Sequence, residues 1–250
     1  MTAKNLGKGT MAQKLLLEGK RILLAEDEEF SRKIVTKMLE TLGCTAVTVV
    51  ADGDSAAVAL TDAGPFDVAI FDFRMPYRNG LELLKAVRVG LGDVPREQRV
   101  MMLTASGDYG LLGAAMALDI DAFVNKPITL QQMAERVRGL FKQWGEYKSA
   151  SRYELVDTDE VSRRLTAPTP KVSKAEEEAE AARPKRGTLT RLEATRPGSI
   201  LTEDIAGPQN QLVLASGSRL SERLIQRLIE VKDVTKVTEI WVEPEEDKKQ

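Results

Sequence analysis

Residues 68–80, Val-Ala-Ile-Phe-Asp-Phe-Arg-Met-Pro-Tyr-Arg-Asn-Gly, indicate the fold more clearly than any other stretch of the chain. The first four residues are apolar without interruption, and a carboxylate, Asp72, follows them directly. Such unbroken runs are typical of strands buried on both faces, as in a parallel sheet covered by helices. Residues 22–24, Ile-Leu-Leu, form a second run of this kind. Both runs therefore predict central strands of a parallel sheet.

Between Lys20 and about Trp144, short apolar runs alternate with segments of helical periodicity. Alternating strands and helices with short connections form a right-handed, doubly wound α/β domain. We therefore predict a five-stranded parallel sheet with five helices. The predicted elements, beginning with a strand and alternating, are residues 21–25, 31–42, 45–50, 54–61, 68–71, 81–89, 100–104, 108–118, 122–125 and 130–144.

The composition is that of an ordinary globular protein. Hydrophobic residues make up 42% of the 250 residues, and 36 basic against 38 acidic residues leave a formal net charge of −2. This balance gives no electrostatic reason to expect binding to nucleic acid or to a membrane. No apolar run approaches the length of about 20 residues that spans a bilayer. The single cysteine, Cys44, allows no intrachain disulfide, so we expect a cytoplasmic protein.

The chain contains no histidine. Histidine general bases, Ser-His and Cys-His nucleophile pairs and histidine-ligated metal sites are therefore excluded. Any chemistry in this chain must use carboxylates, hydroxyls and amines.

Changes in composition divide the chain into five segments. Periodicity fades after about Ser149, where an Ala/Glu-rich run lies among prolines and cannot bury a core. Order returns at Gly187, with strand candidates at 189–192, 212–215 and 237–242 and a helix after Ser221. The segments are an N-terminal arm (1–19), the doubly wound domain (20–147), a charged flexible linker (148–186), a small β-rich α+β module (187–243) and a charged tail (244–250).

Polar residues follow four of the predicted strands directly. The carboxyl ends of parallel strands lie at one edge of a doubly wound sheet, where ligands bind, so we expect these residues to converge. They are Glu26-Asp27-Glu28 after the first strand, Asp72 after the third, Thr104 at the end of the fourth and Lys126 after the fifth.

The chemical types of these residues fit phosphoryl transfer. Clustered carboxylates repel one another, and Mg²⁺ relieves that repulsion while keeping water and phosphate oxygens in its coordination shell. A lysine and a hydroxyl can contact a phosphoryl group, and a carboxylate can accept one. An acidic pair after a strand is by itself usually a solvated loop, and a Lys-Pro pair is usually a turn. Their joint order at four strand ends favours the phosphoryl-transfer site.

The doubly wound region resembles the receiver domain of bacterial response regulators, a flavodoxin-like phosphoacceptor fold. The resemblance covers about half of the chain. The motifs that carry it are residues 21–28, 72–82, 103–107 and 123–128.

The resemblance implies a phosphoacceptor and a set of Mg²⁺ ligands. Asp72 is the implied phosphoacceptor. Asp27 and Asp72 are the implied direct metal ligands, Glu26 acts through water, and the backbone carbonyl of Arg74 completes the protein ligands.

The resemblance also implies a phosphoryl pocket and a switch. Thr104 and Lys126 contact the phosphoryl group, and the small side chain of Ala105 admits it. Phe123 is the implied aromatic switch residue that moves with Thr104, although its position also suits an ordinary core aromatic. The Lys126–Pro127 peptide bond is expected to be cis.

The C-terminal segment from Arg196 to Leu220 and the helix after it are similar to a small β-rich segment that accompanies some receivers and some HD-GYP cyclic-dinucleotide phosphodiesterases. That phosphodiesterase activity requires a His/Asp metal cluster and is excluded because histidine is absent. The segment has no helix-turn-helix pattern with a basic recognition helix, so we do not expect DNA-binding output.

Three functions remain open. The favoured one is a response regulator, not an enzyme, that receives its phosphoryl group from a sensor histidine kinase or a phosphotransfer protein. Its module would contact a downstream protein or, as a homodimer, a second copy of the chain. The alternatives are a Mg²⁺-dependent phosphohydrolase with an aspartyl-phosphate intermediate and a pseudo-receiver scaffold. Such hydrolases place an acid two residues after the nucleophile, where this chain has Arg74.

Overall fold

A computed structural model of the chain describes residues 16–105, 109–142, 147–159, 186–207 and 212–243. These residues form two compact units. The described part of the first unit is residues 16–105, 120–142 and 147–156. The described part of the second unit is residues 109–119, 157–159, 186–207 and 212–243.

A five-stranded parallel sheet forms the centre of the first unit. Its strand order is β2-β1-β3-β4-β5, and every neighbouring pair is parallel. This confirms the predicted doubly wound sheet. The strands are β1 (Arg21–Ala25), β2 (Ala46–Val50), β3 (Val68–Asp72), β4 (Val100–Thr104) and β5 (Ala122–Asn125).

The central strands are buried because helices cover both faces of the sheet. All five residues of β3 are buried, as its apolar run predicted, and all five of β4 are buried as well. One face packs against apolar residues of two helices, α1 (Glu29–Thr41) and α5 (Leu130–Leu140). Helix α2 (Gly53–Asp62) contacts β1 and β2 and also α3 (Gly80–Val89). Neither α2 nor α3 contributes to the core cluster beside α1 and α5, so both lie on the other face.

The helices begin at side chains that cap their free amide groups. The carboxylate of Glu28 accepts hydrogen bonds from the backbone N–H groups of Phe30 and Ser31, which starts α1 two residues earlier than periodicity predicted. Asn79 and Glu82 form a reciprocal capping box at α3. Thr129 and Gln132 do the same at α5, which ends at Leu140 and not at residue 144 as predicted.

Residues 147–156 pack with the first unit, although all but Tyr147 fall within the linker that composition predicts. A short helix, α6 (Ala150–Glu154), lies against α3, and the side chain of Tyr153 is fully buried. Lys85 Nζ donates a 2.8 Å hydrogen bond to the carbonyl of Val156. Five residues are too short for periodicity to reveal, and their burial depends on α3, which is remote in sequence.

The second unit combines one helix from the doubly wound region with the C-terminal module. The helix, α4 (Tyr109–Ala117), lies in sequence between β4 and β5. The module contains an antiparallel pair of β6 (Thr188–Arg191) with β9 (Glu239–Val242). A second antiparallel pair joins β7 (Ile205–Ala206) and β8 (Leu212–Leu214), and helix α7 (Glu222–Thr235) begins after the Ser221 cap. This agrees with the predicted small β-rich unit with one helix.

None of the helices in the described ranges combines the length and the apolar character that crossing a bilayer requires.

Candidate metal and phosphoacceptor site

Four neighbouring strands bring the predicted site residues to one edge of the sheet. Asp72 is the last residue of β3, beside Leu103 of β4, and Thr104 is the last residue of β4, beside Asn125 of β5. Lys126 follows β5 by one residue, and Glu26 follows β1 by one residue. Because β1, β3, β4 and β5 are adjacent in the sheet, polar residues that are up to 100 positions apart in sequence (126 − 26) reach one edge.

Three carboxylates form the centre of the site. One carboxylate oxygen from each of Glu26, Asp27 and Asp72 lies within 4.8 Å of the other two. Glu26 is fully buried and Asp72 is nearly so, whereas Asp27 is exposed. One acid of the three thus faces solvent, from which a metal ion or a phosphoryl donor must arrive.

Lys126 bridges two of the acids. Its Nζ lies 2.6 Å from Glu26 Oε2 and 2.7 Å from Asp72 Oδ1. The Lys126–Pro127 peptide bond is cis, as expected. Because Lys126 Nζ contacts both acids, its ammonium group neutralises part of the acid cluster. Three ionised carboxylates and one ammonium still leave a formal charge of −2 (−3 + 1).

Two residues of α1 hold the acidic loop in place, and sequence reasoning missed both. Ser31 Oγ donates a 2.7 Å hydrogen bond to Glu26 Oε2. The Arg32 guanidinium donates to the backbone carbonyls of Glu26 at 2.8 Å and of Asp27 at 2.9 Å. A hydroxyl five residues after an acid is too common to signal this role, and only the angle between β1 and α1 brings Ser31 back to Glu26.

Burial and neighbouring charge perturb the acid–base properties of the site. The pKa of Asp72 is raised to about 6, mainly by burial and also by the negative charges of Glu26 and Asp27, against the opposing effect of Lys126. Burial alone would lower the pKa of Lys126, but its hydrogen bonds to Asp72 and Glu26 outweigh burial and raise it. A divalent cation would favour the ionised form of Asp72.

The donor set fits Mg²⁺. Three carboxylates at one point supply hard oxygen ligands, and the exposed side leaves room for the waters that Mg²⁺ retains. A charge of +2 would balance the formal −2 of the cluster. Glu26 already accepts from Ser31 and contacts Lys126, which suits a role through water better than direct ligation. Arg74 lies two residues after Asp72 in the same edge loop and is exposed.

Thr104 and Phe123, which are predicted to form the switch, lie on neighbouring strands: Thr104 is the last residue of β4, and Phe123 is the second residue of β5. Thr104 is buried, and its Oγ1 donates a 3.2 Å hydrogen bond to the carbonyl of Ala105. Ala105 is exposed at the rim of the site. Phe123 is 1% exposed, so it is packed inward. A packed position agrees equally with a switch residue and with a core aromatic.

Two glycines allow the loop after β3 to fold closely over the sheet edge. A Cβ on Gly80 would lie 2.5 Å from the carbonyl oxygen of Asp72. A Cβ on Gly53 would lie 1.8 Å from the carbonyl oxygen of Arg78. Neither site leaves space for a side chain, so these glycines are required by close approach of the backbone.

Comparisons with known proteins find relatives of the doubly wound region. A family profile described as "Response regulator receiver domain" matches residues 22–138. The chemotaxis protein CheY of Pseudomonas aeruginosa is 31% identical over 125 residues, which cover 49% of this chain and 97% of that protein. The probable chemotaxis protein CheY of Rhizobium etli is 29% identical over 121 residues, which cover 48% of this chain and 92% of that protein.

One solved structure illustrates the same likeness. The receiver domain of the histidine kinase CKI1 from Arabidopsis thaliana, complexed with Mg²⁺ and BeF₃⁻, is 24% identical and has a TM-score of 0.44. The match covers 52% of this chain and 95% of that chain. The family profile ends at residue 138, before the C-terminal module begins.

Proposed function

Because this chain belongs to the response regulator receiver family, we propose that Asp72 is its phosphoacceptor in a phosphorelay, with Mg²⁺ as the cofactor. The donor is the phosphohistidine of a sensor histidine kinase or of a phosphotransfer protein. The observation that carries the proposal is the contact of Lys126 Nζ with Asp72 Oδ1 at 2.7 Å, inside a cluster of three carboxylates at the sheet edge.

The transfer exchanges one bond to phosphorus for another. A carboxylate oxygen of Asp72 attacks the phosphorus atom, a P–O bond forms, and the P–N bond of the donor breaks with its electron pair going to the imidazole nitrogen. When bound, Mg²⁺ supplies positive charge that offsets the negative charge on the phosphoryl oxygens. Asp27, Asp72 and the Arg74 carbonyl are its proposed direct ligands, with Glu26 acting through water.

Lys126 and Thr104 are the proposed partners of the phosphoryl oxygens. The Lys126 ammonium lies between Glu26 and Asp72, so a short shift toward a phosphoryl group on Asp72 would exchange its contact with Glu26 for one with phosphate. The Thr104 hydroxyl lies 3.2 Å from the carbonyl oxygen of Ala105 and 3.5 Å from the side-chain oxygen of Asn125, and it can rotate toward a new acceptor. Ala105, exposed at the rim, leaves the entry open.

Motion of Thr104 is the proposed start of the switch. A phosphoryl group adds about −2 charge beside Thr104 and Lys126, which gives both residues a new partner. Phe123 would then fill the space behind Thr104. The fourth and fifth helices and β5 would shift between two packings.

Two further features support signalling rather than hydrolysis. The position two residues after Asp72 is Arg74, where phosphohydrolases with an aspartyl-phosphate intermediate generally carry a second acid. The C-terminal module offers a place for a downstream protein to act. We place the chain in the cytoplasm, where a kinase would supply the phosphoryl group.

The experiment is phosphorylation of the full chain by acetyl phosphate and Mg²⁺, resolved on a phosphate-affinity gel. A slow, stoichiometric band that Asp72→Asn abolishes supports the proposal. Asp62→Asn is the matched control, because Asp62 is an exposed acid at the end of α2, and it should leave the band unchanged.

Two results would contradict the proposal. Rapid release of phosphate from generic phosphate esters identifies a hydrolase. The absence of a band in a folded, Mg²⁺-binding protein identifies a scaffold.

A further inference from the structure

Strand β6 lies at the outer side of the C-terminal module. It pairs with β9 in antiparallel register, and β9 contacts residues 200–202 on its far side, where the Thr202 backbone N–H donates to the carbonyl of Trp241 at 3.0 Å. Strand β9 is therefore enclosed between two neighbours. Within the part of the chain that the structure describes, β6 has a neighbouring strand on one side only. An edge strand of this kind is a template for another strand.

The outer edge of β6 exposes the backbone of Leu189. The backbone N–H of Leu192 donates to the carbonyl of Thr238 at 3.0 Å. Hydrogen-bonded residues alternate along an antiparallel ladder, so the polar backbone groups of residues 188 and 190 point toward β9 and those of Leu189 point away from it. No hydrogen bond among the described residues reaches the N–H or the C=O of Leu189. One donor and one acceptor are thus available there to a further strand.

Leu189 and Trp241 form an apolar pair on the outward face of this two-stranded sheet. They lie directly opposite each other in the ladder, and Leu189 is 47% exposed while Trp241 is half-buried. The alternate residues of β9, Ile240 and Val242, are buried on the other face. Strand β6 contains no lysine, proline or bulge, the features with which natural edge strands discourage pairing. The edge is therefore open to pairing at Leu189.

We propose that β6 pairs antiparallel with β6 of a second copy of the chain, with the two Leu189 residues opposite each other on a two-fold axis. In this register each Leu189 N–H donates to the Leu189 carbonyl of the other copy, so the exposed donor and acceptor satisfy each other. Leu189 and Trp241 of both copies then form one apolar row across a four-stranded sheet. On the other face, Thr188 lies opposite Thr190 of the second copy, a favourable cross-strand combination. Because the edge is complementary to itself, a second copy is the partner it fits.

The charges on the outward face favour the same register. Arg191, two residues after Leu189, lies beside Glu239 of its own chain, with 4.0 Å between Arg191 Nε and Glu239 Oε1. The proposed pairing places Arg191 opposite Gly187 of the second copy, which has no side chain, and the exposed Glu243 of that copy lies beyond the glycine. Arg191 is then flanked by a carboxylate from each chain. A register centred on Arg191 would instead set two guanidinium groups opposite each other, which is unfavourable.

The test is sedimentation velocity of the full chain over a wide range of concentrations, in buffer without Mg²⁺ or a phosphoryl donor. Because the contact consists of two backbone hydrogen bonds and a short apolar row, we expect the average mass to rise from one chain toward two only as the concentration increases. Leu189→Lys places two cations on the axis and should lower the association constant by about tenfold or more. Leu212→Lys is the matched control, because Leu212 is a leucine on β8 that is 52% exposed, and it should leave association unchanged.

An exchange of charges tests the register. Arg191→Glu and Glu243→Arg should each weaken self-association, because each brings like charges together across the axis. An equimolar mixture of the two variants should associate about as well as the wild type, since in the mixed dimer every charge at residue 191 lies near the opposite charge at residue 243 of the other copy. Both side chains are exposed, so each variant should unfold at the same urea concentration as the wild type.

Three results would overturn the inference. The first is a chain that stays monomeric at every concentration. The second is a dimer that Leu189→Lys leaves intact, because the two copies then meet elsewhere. The third is a dimer that both charge variants weaken and that their mixture does not restore, because the register is then a different one. If a charge variant does not fold, the wild type and Leu189→Lys decide alone. Phosphorylation of Asp72 is measured separately, so the proposed function stands or falls independently of this result.

Discussion

Two buried aspartates in the first unit lie near opposite ends of the sheet, and each faces a cation. Asp121, just before β5, accepts hydrogen bonds from Arg88 Nη2 at 2.7 Å, from the Val100 backbone N–H at 2.9 Å and from the Tyr147 hydroxyl at 2.7 Å. Asp72, at the end of β3, contacts Lys126 and shares its site with two other carboxylates.

The difference between the two aspartates lies in their neighbours. Each of these three partners of Asp121 is a hydrogen-bond donor, and the guanidinium of Arg88 also donates to the carbonyls of Arg96 and Gln98, which hold it in place. Asp72 instead has like charges beside it, and burial raises its pKa to about 6. An aspartate whose oxygens accept hydrogen bonds from fixed donors stabilises the fold. An aspartate that other carboxylates repel gains more from binding a metal ion or accepting a phosphoryl group.

The largest expected effect is at the structural pair. Arg88→Met leaves Asp121 buried without its cation and should lower the free energy of unfolding by about 3–5 kcal/mol, measured by urea denaturation. Lys37→Met breaks the exposed pair with Glu40 and serves as the control, with a loss below about 0.5 kcal/mol. Equal losses in the two variants would contradict the assignment of Asp121 to the fold.

Removing the charge of Asp72 should have the opposite sign. The pKa of Asp72 in the folded chain is about 6, above its ordinary value of 3.8, so ionisation destabilises the folded state as the pH rises through this range. Asp72→Asn should therefore raise the free energy of unfolding by about 1–3 kcal/mol at pH 8 in metal-free buffer. The gain should vanish below pH 4. Asp121→Asn replaces one of the two accepting oxygens by an amide nitrogen and removes the charge that faces Arg88, so it should destabilise the chain at pH 8.

Mg²⁺ should stabilise the folded chain by binding at the cluster of Glu26, Asp27 and Asp72. At a tenfold excess over its dissociation constant, Mg²⁺ should add about 1.4 kcal/mol to the free energy of unfolding. Asp27→Asn should remove most of this gain, while Asp62→Asn should keep it, because Asp62 lies outside the cluster. If Mg²⁺ increases the free energy of unfolding of Asp27→Asn as much as that of the wild type, the ion binds outside the cluster.

The smallest expected effect concerns the residue that orients Glu26. Ser31→Ala removes the 2.7 Å hydrogen bond to Glu26 and should cost about 0.5–1.5 kcal/mol of stability. It should also weaken Mg²⁺ binding by about tenfold, measured by calorimetry, since outer-shell partners hold metal ligands in position. Ser55→Ala, which removes a similar bond to Asp52 at an exposed helix cap, should leave Mg²⁺ binding unchanged.

Much of the fold and of the site could be predicted from sequence because the signals were local. The apolar runs at 22–24 and 68–71 predicted central strands, and the alternation of strands and helices predicted a parallel, doubly wound sheet. The acids, Thr104 and Lys126 were located by a single rule, that polar residues at the carboxyl ends of parallel strands meet. The roles assigned to them by family resemblance remain predictions.

What escaped prediction depended on distant partners. Composition predicts a linker where α6 lies, because five residues are too few to show periodicity, yet Tyr153 is fully buried beside α3. The roles of Ser31 and Arg32 could not be inferred because their partners are set by the angle at which α1 leaves β1. The end of α5 at Leu140 was missed because the apolar pattern continues beyond it.

The sequence by itself determined which chemistry is available: carboxylates, a hydroxyl and an amine at strand ends, with no histidine in the chain. Tertiary structure alone decided that Lys126 bridges Glu26 and Asp72, and that α4 belongs to the same compact unit as the C-terminal module. The physical reason is that residue types and strand order are encoded locally, whereas contacts and desolvation depend on how remote elements pack.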